Sequence, residues 1–143
     1  MNVVDANVLI YAVNEQSDRH DEARSWIDRS LSGEAVVGFS WIAMLAFVRL
    51  VTKANLFPRP LTAGGAFDRI EAWLSSPAAV VVEPTAGHAT HFRSLLASAG
   101  TAGNLVNDAH LAALSIEHRG RIVSYDSDFA RFHGVRWVSP ATA

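Results

Sequence analysis

Residues 2–13 read Asn-Val-Val-Asp-Ala-Asn-Val-Leu-Ile-Tyr-Ala-Val, and residues 121–126 read Arg-Ile-Val-Ser-Tyr-Asp. Each stretch carries a short β-rich run that ends on an acid, Asp5 in the first and Asp126 in the second. β-branched residues favour strands, and aspartate is depleted in them. Residues 2–4 therefore predict a brief strand stopping at Asp5, whereas 7–13 fit either more strand or a helical turn. Outward from these stretches, Ala-Val-Val-Gly-Phe at 35–39, Ala-Val-Val-Val-Glu at 79–83 and Val-Arg-Trp-Val at 135–138 read as further strands, the second of buried type. Between them, apolar residues recur at helical spacing. One helix covers 18–31, with Ala23, Trp26, Ile27 and Leu31 on its apolar face, Ser17 or Asp18 as its cap and Gly33 as its stop. Others run from the Ser40 cap to about Lys53, over 62–75, over 86–99 up to Gly100, and over 105–118 up to Gly120. Pro58 and Pro60 mark one loop and residues 100–104 another, flexible one. Strands alternating with helices give the α/β class: a single domain over 1–143, with a mainly parallel central sheet of about four to five strands flanked by helices.

Composition narrows the chemistry. The 143 residues include no cysteine, which excludes disulfides, cysteine–zinc sites, iron–sulfur clusters and thiol catalysis. Lys and Arg number 12 against 14 Asp and Glu, so no global basic field advertises nucleic acid, and any such contact must use a local patch. Lys53 is the one lysine among the 12, a bias that reflects either base composition or a need for planar, bidentate phosphate binding. No apolar run reaches the ~18 residues of a membrane span, and no signal peptide is visible at 1–5. A cytoplasmic setting without membrane attachment is the expectation.

The acids carry the functional reading. In open parallel sheets, ligands gather beyond the carboxyl ends of the strands. Asp5 and Asp126 both occupy that position, and Asp128 lies two residues further on. Asp108 falls near the start of a helix, with Asn104 one turn earlier on the same face. Each acid also has a local explanation: Asp5 as a helix cap, Asp108 as a charge at a helix N-terminus, Asp126 and Asp128 as turn formers. Gathered in one pocket they would behave differently. Two carboxylates ~5 Å apart repel by about 3 kcal/mol at an effective dielectric of ~20, and three approach ~10 kcal/mol. Such a cluster takes up protons or binds a cation. All-oxygen ligands suit Mg²⁺ or Mn²⁺ better than zinc, and a hard divalent ion with open positions can activate water and hold a phosphate. That is phosphodiester hydrolysis.

Four blocks of sequence resemble the PIN-domain family, and within it the VapC-type toxins of bacterial toxin–antitoxin pairs. They are Val-Val-Asp-Ala-Asn-Val-Leu-Ile-Tyr-Ala at 3–12, Trp-Ile-Ala-Met-Leu-Ala-Phe-Val-Arg-Leu-Val-Thr at 41–52, Gly-Asn-Leu-Val-Asn-Asp-Ala-His-Leu-Ala-Ala-Leu at 103–114 and Val-Ser-Tyr-Asp-Ser-Asp-Phe-Ala-Arg-Phe at 123–132. Order, spacing and length agree over almost the whole chain. The resemblance implies a metal-dependent endoribonuclease on a compact parallel α/β sheet, leaving 5′-phosphate and 3′-hydroxyl ends. By position, Asp5, Asp108 and Asp126 match its catalytic and metal-holding acids, Asp128 an auxiliary acid, and Asn7 a polar residue that supports the first acid. One departure stands out. Many PIN domains carry a Glu in the second block, where this chain has Ala46, and 41–52 contains no acid. That loss leaves a catalytically weakened RNA- or protein-binding module as the alternative.

The resemblance also implies an RNA substrate, a cognate antitoxin protein that covers the site, and a toxin homodimer. Arg49 and Lys53, one helical turn apart, are the first candidates for RNA contact. Arg19, Arg93, Arg119 and Arg121 come second. Trp26, Trp41, Trp73 and Trp137 fall on apolar faces and are expected in the core. His88 and His91 share a helix face and His110 points elsewhere from Asp108, so structural roles are expected for the histidines. If the four aspartates form a pocket, 12 basic residues face only 10 remaining acids, and the near-neutral total averages an acidic site with a mildly basic remainder.

Overall fold

Val3 and Val4 are neighbours in one strand, both fully buried, yet they join different cores. Ile122 and Val123 divide in the same way. Successive side chains of a strand point to opposite faces, so strands apolar at every position must be covered on both sides. The computed structural model, which describes residues 1–100 and 102–143, shows how. Of the loop expected over 100–104, Thr101 lies outside the described residues. Strands β1 (Asn2–Val4), β2 (Val37–Phe39), β3 (Ala79–Val81), β4 (Arg121–Val123) and β5 (Trp137–Val138) form one sheet in the order β3-β2-β1-β4-β5, with every pair parallel. Helices α1 (Ala6–Val13), α2 (His20–Leu31), α3 (Trp41–Val51) and α4 (Ala63–Leu74) supply the apolar side chains that meet Val4, Val37, Phe39 and Val123. Helices α5 (His88–Ala99) and α6 (Val106–Glu117) cover Val3 and Ile122, joined by Phe129 and Phe132. The α/β architecture with a parallel sheet is thus as the sequence implies.

The ambiguous stretch after Asp5 is helix. Val8, Leu9 and Ala12 form its buried stripe, and the Asp5 side chain caps it by accepting from the Ala6 N–H. Ser40 and Thr62 cap α3 and α4 in the same manner. Helix α2 begins at His20, later than expected, with Arg19 at its N-cap and no side-chain cap bond. Ser17 accepts from the Arg19 N–H instead, 3.1 Å away, in a local turn. Helix α3 stops at Val51. Two further expectations fail. β3 is a sheet edge with Val80 and Val81 exposed, not a buried strand, because its only sheet neighbour among the described residues is β2. Trp41 is 45% exposed, since it opens α3 on the face turned away from the sheet, whereas Trp26 is buried.

Strand order positions the site. The chain runs from β1 to β2 on one side, whereas β4 pairs on the other flank of β1. The crevice of a parallel sheet opens where connections diverge like this, beyond the carboxyl ends of β1 and β4. The opposite edge is closed tightly. Gly120, between α6 and β4, has the Met1 carbonyl oxygen 2.9 Å from where a Cβ would stand, and that carbonyl accepts from the Arg121 N–H. Gly120→Ala should therefore push β4 away from the N-terminus of β1. We expect a loss of about 1–3 kcal/mol in urea unfolding; an unchanged midpoint would show that the edge can relax freely.

Candidate active site

Asp5 leaves β1 with both carboxylate oxygens engaged. Oδ1 accepts from the Ala6 N–H at 2.8 Å, and Oδ2 accepts from the Ser124 hydroxyl at 2.6 Å. Ser124 is fully buried just past β4. Its Oγ also accepts from Asn7 Nδ2 and from the Asp126 N–H, each at 3.0 Å. Asn7 Oδ1 in turn accepts from the Tyr125 N–H at 3.2 Å, so it supports Asp5 through Ser124 and not by a direct bond. One short network therefore ties the end of β1, the first turn of α1 and the chain beyond β4. Asp126 then accepts from the Asp128 N–H at 2.8 Å, turning the chain into a 3₁₀ helix over Ser127–Arg131. This turn brings Asp128 back towards Asp126. Asp108 arrives from the first turn of α6. Asp108, Asp126 and Asp128 each present an oxygen within 4.8 Å of the others. Asp5, outside this trio, lines a cleft of about 180 Å³ with Asp108.

The charges in the cleft feel one another. Burial, then repulsion from Asp5, Asp126 and Asp128, pushes the Asp108 carboxyl up to about 6. Burial also raises Asp5, against the hydrogen bonds from Ser124 and Ala6 that favour its charged form. Desolvation and like charges both disfavour ionisation, so the set is poised to take a cation or protons. The rest of the wall is apolar: Ile42, Ala43, Ala46 and Leu111, with Asn107 beside Asp108. Ala46 does face the acids, so the carboxylate that the second block lacks would have entered this cleft.

Other predicted residues lie elsewhere. Asn104 sits in a 3₁₀ turn, Gly103–Leu105, that runs directly into α6. It borders an open groove with Asp128 and Arg131. Lys53 lies past the end of α3, so it and Arg49 do not form a helical pair; Arg49 remains on the exposed side of the last turn. Arg119 and Arg121 flank the start of β4, at the sheet end opposite the acids, where Arg121 donates to Asn2 Oδ1. His88 and His110 meet between α5 and α6: His88 Nδ1 lies 2.6 Å from Glu117, and its Nε2 lies 2.8 Å from His110 Nδ1. Burial opposes charge on Glu117, but hydrogen bonds from Thr85 and His88 outweigh it and hold the carboxyl below its usual range. This network clamps two helices and sits apart from the aspartates. Ser124 and Asn107 are the site residues that sequence reading missed. A serine two residues before a strand-end acid was the available signal for the first; nothing marked the second.

Known proteins resemble this chain in sequence and fold. Residues 3–135 match the PIN domain as a family. Ribonuclease VapC37 of Mycobacterium tuberculosis is 56% identical over 140 residues, covering 98% of this chain and 97% of the relative. Ribonuclease VapC33 of the same species is 34% identical, with 98% of each chain covered. Among solved structures, VapBC2 from Rickettsia felis, bound to a promoter DNA fragment, superposes with a TM-score of 0.71 at 17% identity, over 96% of this chain and 97% of that one. Mycobacterium tuberculosis VapC20, a toxin that cleaves the sarcin–ricin loop, gives 0.68 at 19% identity, over 95% and 99%. With a family match over most of its length and a relative above half identity, the chain belongs to the PIN-domain family, among its VapC ribonucleases.

Proposed function

We propose that this chain, acting as one domain over 1–143, hydrolyses RNA phosphodiester bonds with Mg²⁺ or Mn²⁺ held by Asp108, Asp126 and Asp128, with Asp5 lining a cleft shared with Asp108. The observation that carries this reading is the trio of carboxylates within 4.8 Å at the divergence of the sheet. The donor set fits such an ion: oxygen ligands only, and a repulsion that lifts Asp108 until a cation relieves it. When bound, the ion supplies Lewis-acid polarisation of the scissile phosphate and of the attacking water. The chain's own residues do the rest. Ser124 and the Ala6 N–H fix the rotamer of Asp5; Asn7 and Ser124 hold the backbone that presents Asp126; the Asp126–Asp128 turn sets the spacing of the last two acids. Ala43, Ala46 and Leu111 limit water on one side.

As in the toxin–antitoxin pairs of its relatives, a cognate antitoxin would cover this cleft, and the toxin would pair with a second copy in the cytoplasm. No helix among the described residues is long and apolar enough to cross a membrane. Ala46 is the one observation that favours binding without cutting, and a cleavage assay decides between the two.

Asp5→Asn tests the chemistry without removing the helix cap, because Asn caps helices as well as Asp. Cleavage of total RNA in Mg²⁺ or Mn²⁺ should fall at least about a hundredfold, the order of loss seen when an aligned catalytic group is removed, while the melting temperature changes little. Unreduced cleavage by protein free of contaminating nuclease would sink the assignment. The ion itself is read from stability. Mn²⁺ should raise the melting temperature of the wild type, and raise it far less in Asp126→Asn; equal rises in both would place the ion elsewhere. The pH dependence has a definite sign. The folded carboxyl of Asp108 stands above its ordinary value, so the ion-free fold gains stability from its protonated form below about pH 4 and loses it as pH rises through 6. Asp108→Asn should thus stabilise ion-free protein at pH 7 by about 1 kcal/mol, allowing for water screening of a half-exposed group. That gain should vanish near pH 3.5. A gain independent of pH would assign it to packing.

A further inference from the structure

Tyr125 lies between Ser124 and Asp126, and the mechanism above uses only its backbone. The residue is fixed on four sides, one of them through its backbone. Asn7 holds its N–H, its hydroxyl donates to Glu22 at 2.9 Å, and the Tyr11 ring meets it edge to face at 5.3 Å. The fourth side is Arg19. Its guanidinium carbon stands 4.7 Å from the Tyr125 ring centre and 5.5 Å from that of Tyr11. Tyr11 belongs to the same face of α1 as Asn7, one turn on, so the two rings continue directly from the network that positions the acids. Arg19 reaches them because its backbone sits at the uncapped start of α2, where Ser17 takes its N–H. Glu22 stands three residues on, yet Arg19 makes no ion pair or side-chain hydrogen bond among the described residues. It is exposed, and its guanidinium N–H groups have no partner among the described residues.

We propose that Arg19, seated on Tyr11 and Tyr125, is a substrate-binding residue that clamps an RNA phosphate flanking the scissile one. This rests on the ribonuclease reading and adds the residue that holds the strand. The chemistry is specific to arginine. A planar cation resting on aromatic faces is pre-organised, so binding costs less side-chain entropy, and its edge still offers paired donors matched to phosphate oxygens. The location supplies the need. A phosphodiester chain approaching Asp5, Asp108, Asp126 and Asp128 meets concentrated negative charge, and a cation held against Tyr125, the chain neighbour of Asp126, offsets it. A carboxylate of the antitoxin could meet the same donors, but every RNA strand presents a phosphate beside its scissile bond, whereas an antitoxin acid would have to be placed there.

The test uses a short single-stranded oligonucleotide spanning the site that the wild-type protein cuts in total RNA. Arg19→Ala should raise KM about tenfold, in keeping with one lost charged hydrogen-bonding contact, and leave kcat within about twofold. Binding of the same oligonucleotide by Asp108→Asn and by the Arg19→Ala, Asp108→Asn double variant isolates the contact from cleavage. The slope of log affinity against log salt should fall by about 0.7 when the arginine is lost, the value for one phosphate on a single strand. Arg19→Lys should keep the slope and recover only part of KM. If the wild type cuts the RNA but KM and slope are both unmoved in Arg19→Ala, the clamp is wrong while the ribonuclease reading stands. A loss confined to antitoxin binding overturns it in favour of a protein contact. If the wild type cuts no RNA, the ribonuclease reading falls and this inference with it.

Discussion

Parallel pairing of Asn2–Val4 with Arg121–Val123, carried one step further by the Asp5 N–H to the Val123 carbonyl at 3.0 Å, sets two strand ends side by side. Everything at the site hangs from that register. It puts Asp5 and Ser124 within one hydrogen bond across a separation of 119 residues. A slip of one residue would turn Val3 and Val4 towards the wrong layers and carry Asp5 away from Ser124. The two apolar layers hold the register, so the precision of a polar site comes from the packing of valines, isoleucine and phenylalanines on both faces of a three-residue strand pair.

The same geometry creates a conflict between stability and function. Four acids converge where burial and proximity both disfavour their charge, as the raised Asp108 and Asp5 carboxyls record. Local bonds offset part of this. Asp5 is a helix cap as well as a site residue, Asp126 closes the turn that delivers Asp128, and Ser124 donates to one acid while accepting from the backbone of another. The local explanations for these acids are therefore correct, and they do not compete with the functional one. A carboxylate already bound to backbone N–H groups is held in one rotamer, which a cation site requires. Ala46 belongs in the same balance: a fifth acid in this small cleft would add repulsion without a visible partner to offset it.

How much of this was legible depended on distance along the chain. The strands at 2–4 and 37–39 declared themselves, because apolar β-branched runs end at an acid and at the Ser40 cap. Asp5 and Asp126 drew notice from their position after apolar strands, Asp108 from the start of a helix. Residues 7–13 were not, since Val, Leu, Ile and Tyr suit either state; the Asp5 cap and the buried stripe of Val8, Leu9 and Ala12 decide for helix. The Val-Val-Val run at 80–82 misled because a run of apolar residues reports burial only when both neighbours exist, and β3 lies at an edge. Ser124 was invisible as a hub because its partners come from α1 and β1, more than 100 residues away. His88 and Glu117 likewise meet only once α5 packs on α6. What the sequence cannot display is the partner of a polar group when that partner is brought by tertiary packing.

The near-absence of lysine gains meaning only when each arginine is followed to its contacts. Arg121 and Arg136 serve the chain itself, donating to Asn2 and to the carbonyls of Arg119 and Gly120 at the far edge of the sheet. Arg24 pairs with Asp28 on the outside of α2 at 3.7 Å, a contact worth little in water. A lysine could stand in each of these places at modest loss. Arg19 differs, because its guanidinium carbon sits against two tyrosine rings while its side-chain donors have no hydrogen-bond partner among the described residues. A lysine there would be a hydrated point charge with no fixed direction. Genomic composition can account for the number of arginines, but it does not account for two tyrosines set against one of them, one of which is the chain neighbour of Asp126. A net charge of −2 is then compatible with an anionic substrate, since what governs approach is the order of charges along the cleft and not their sum.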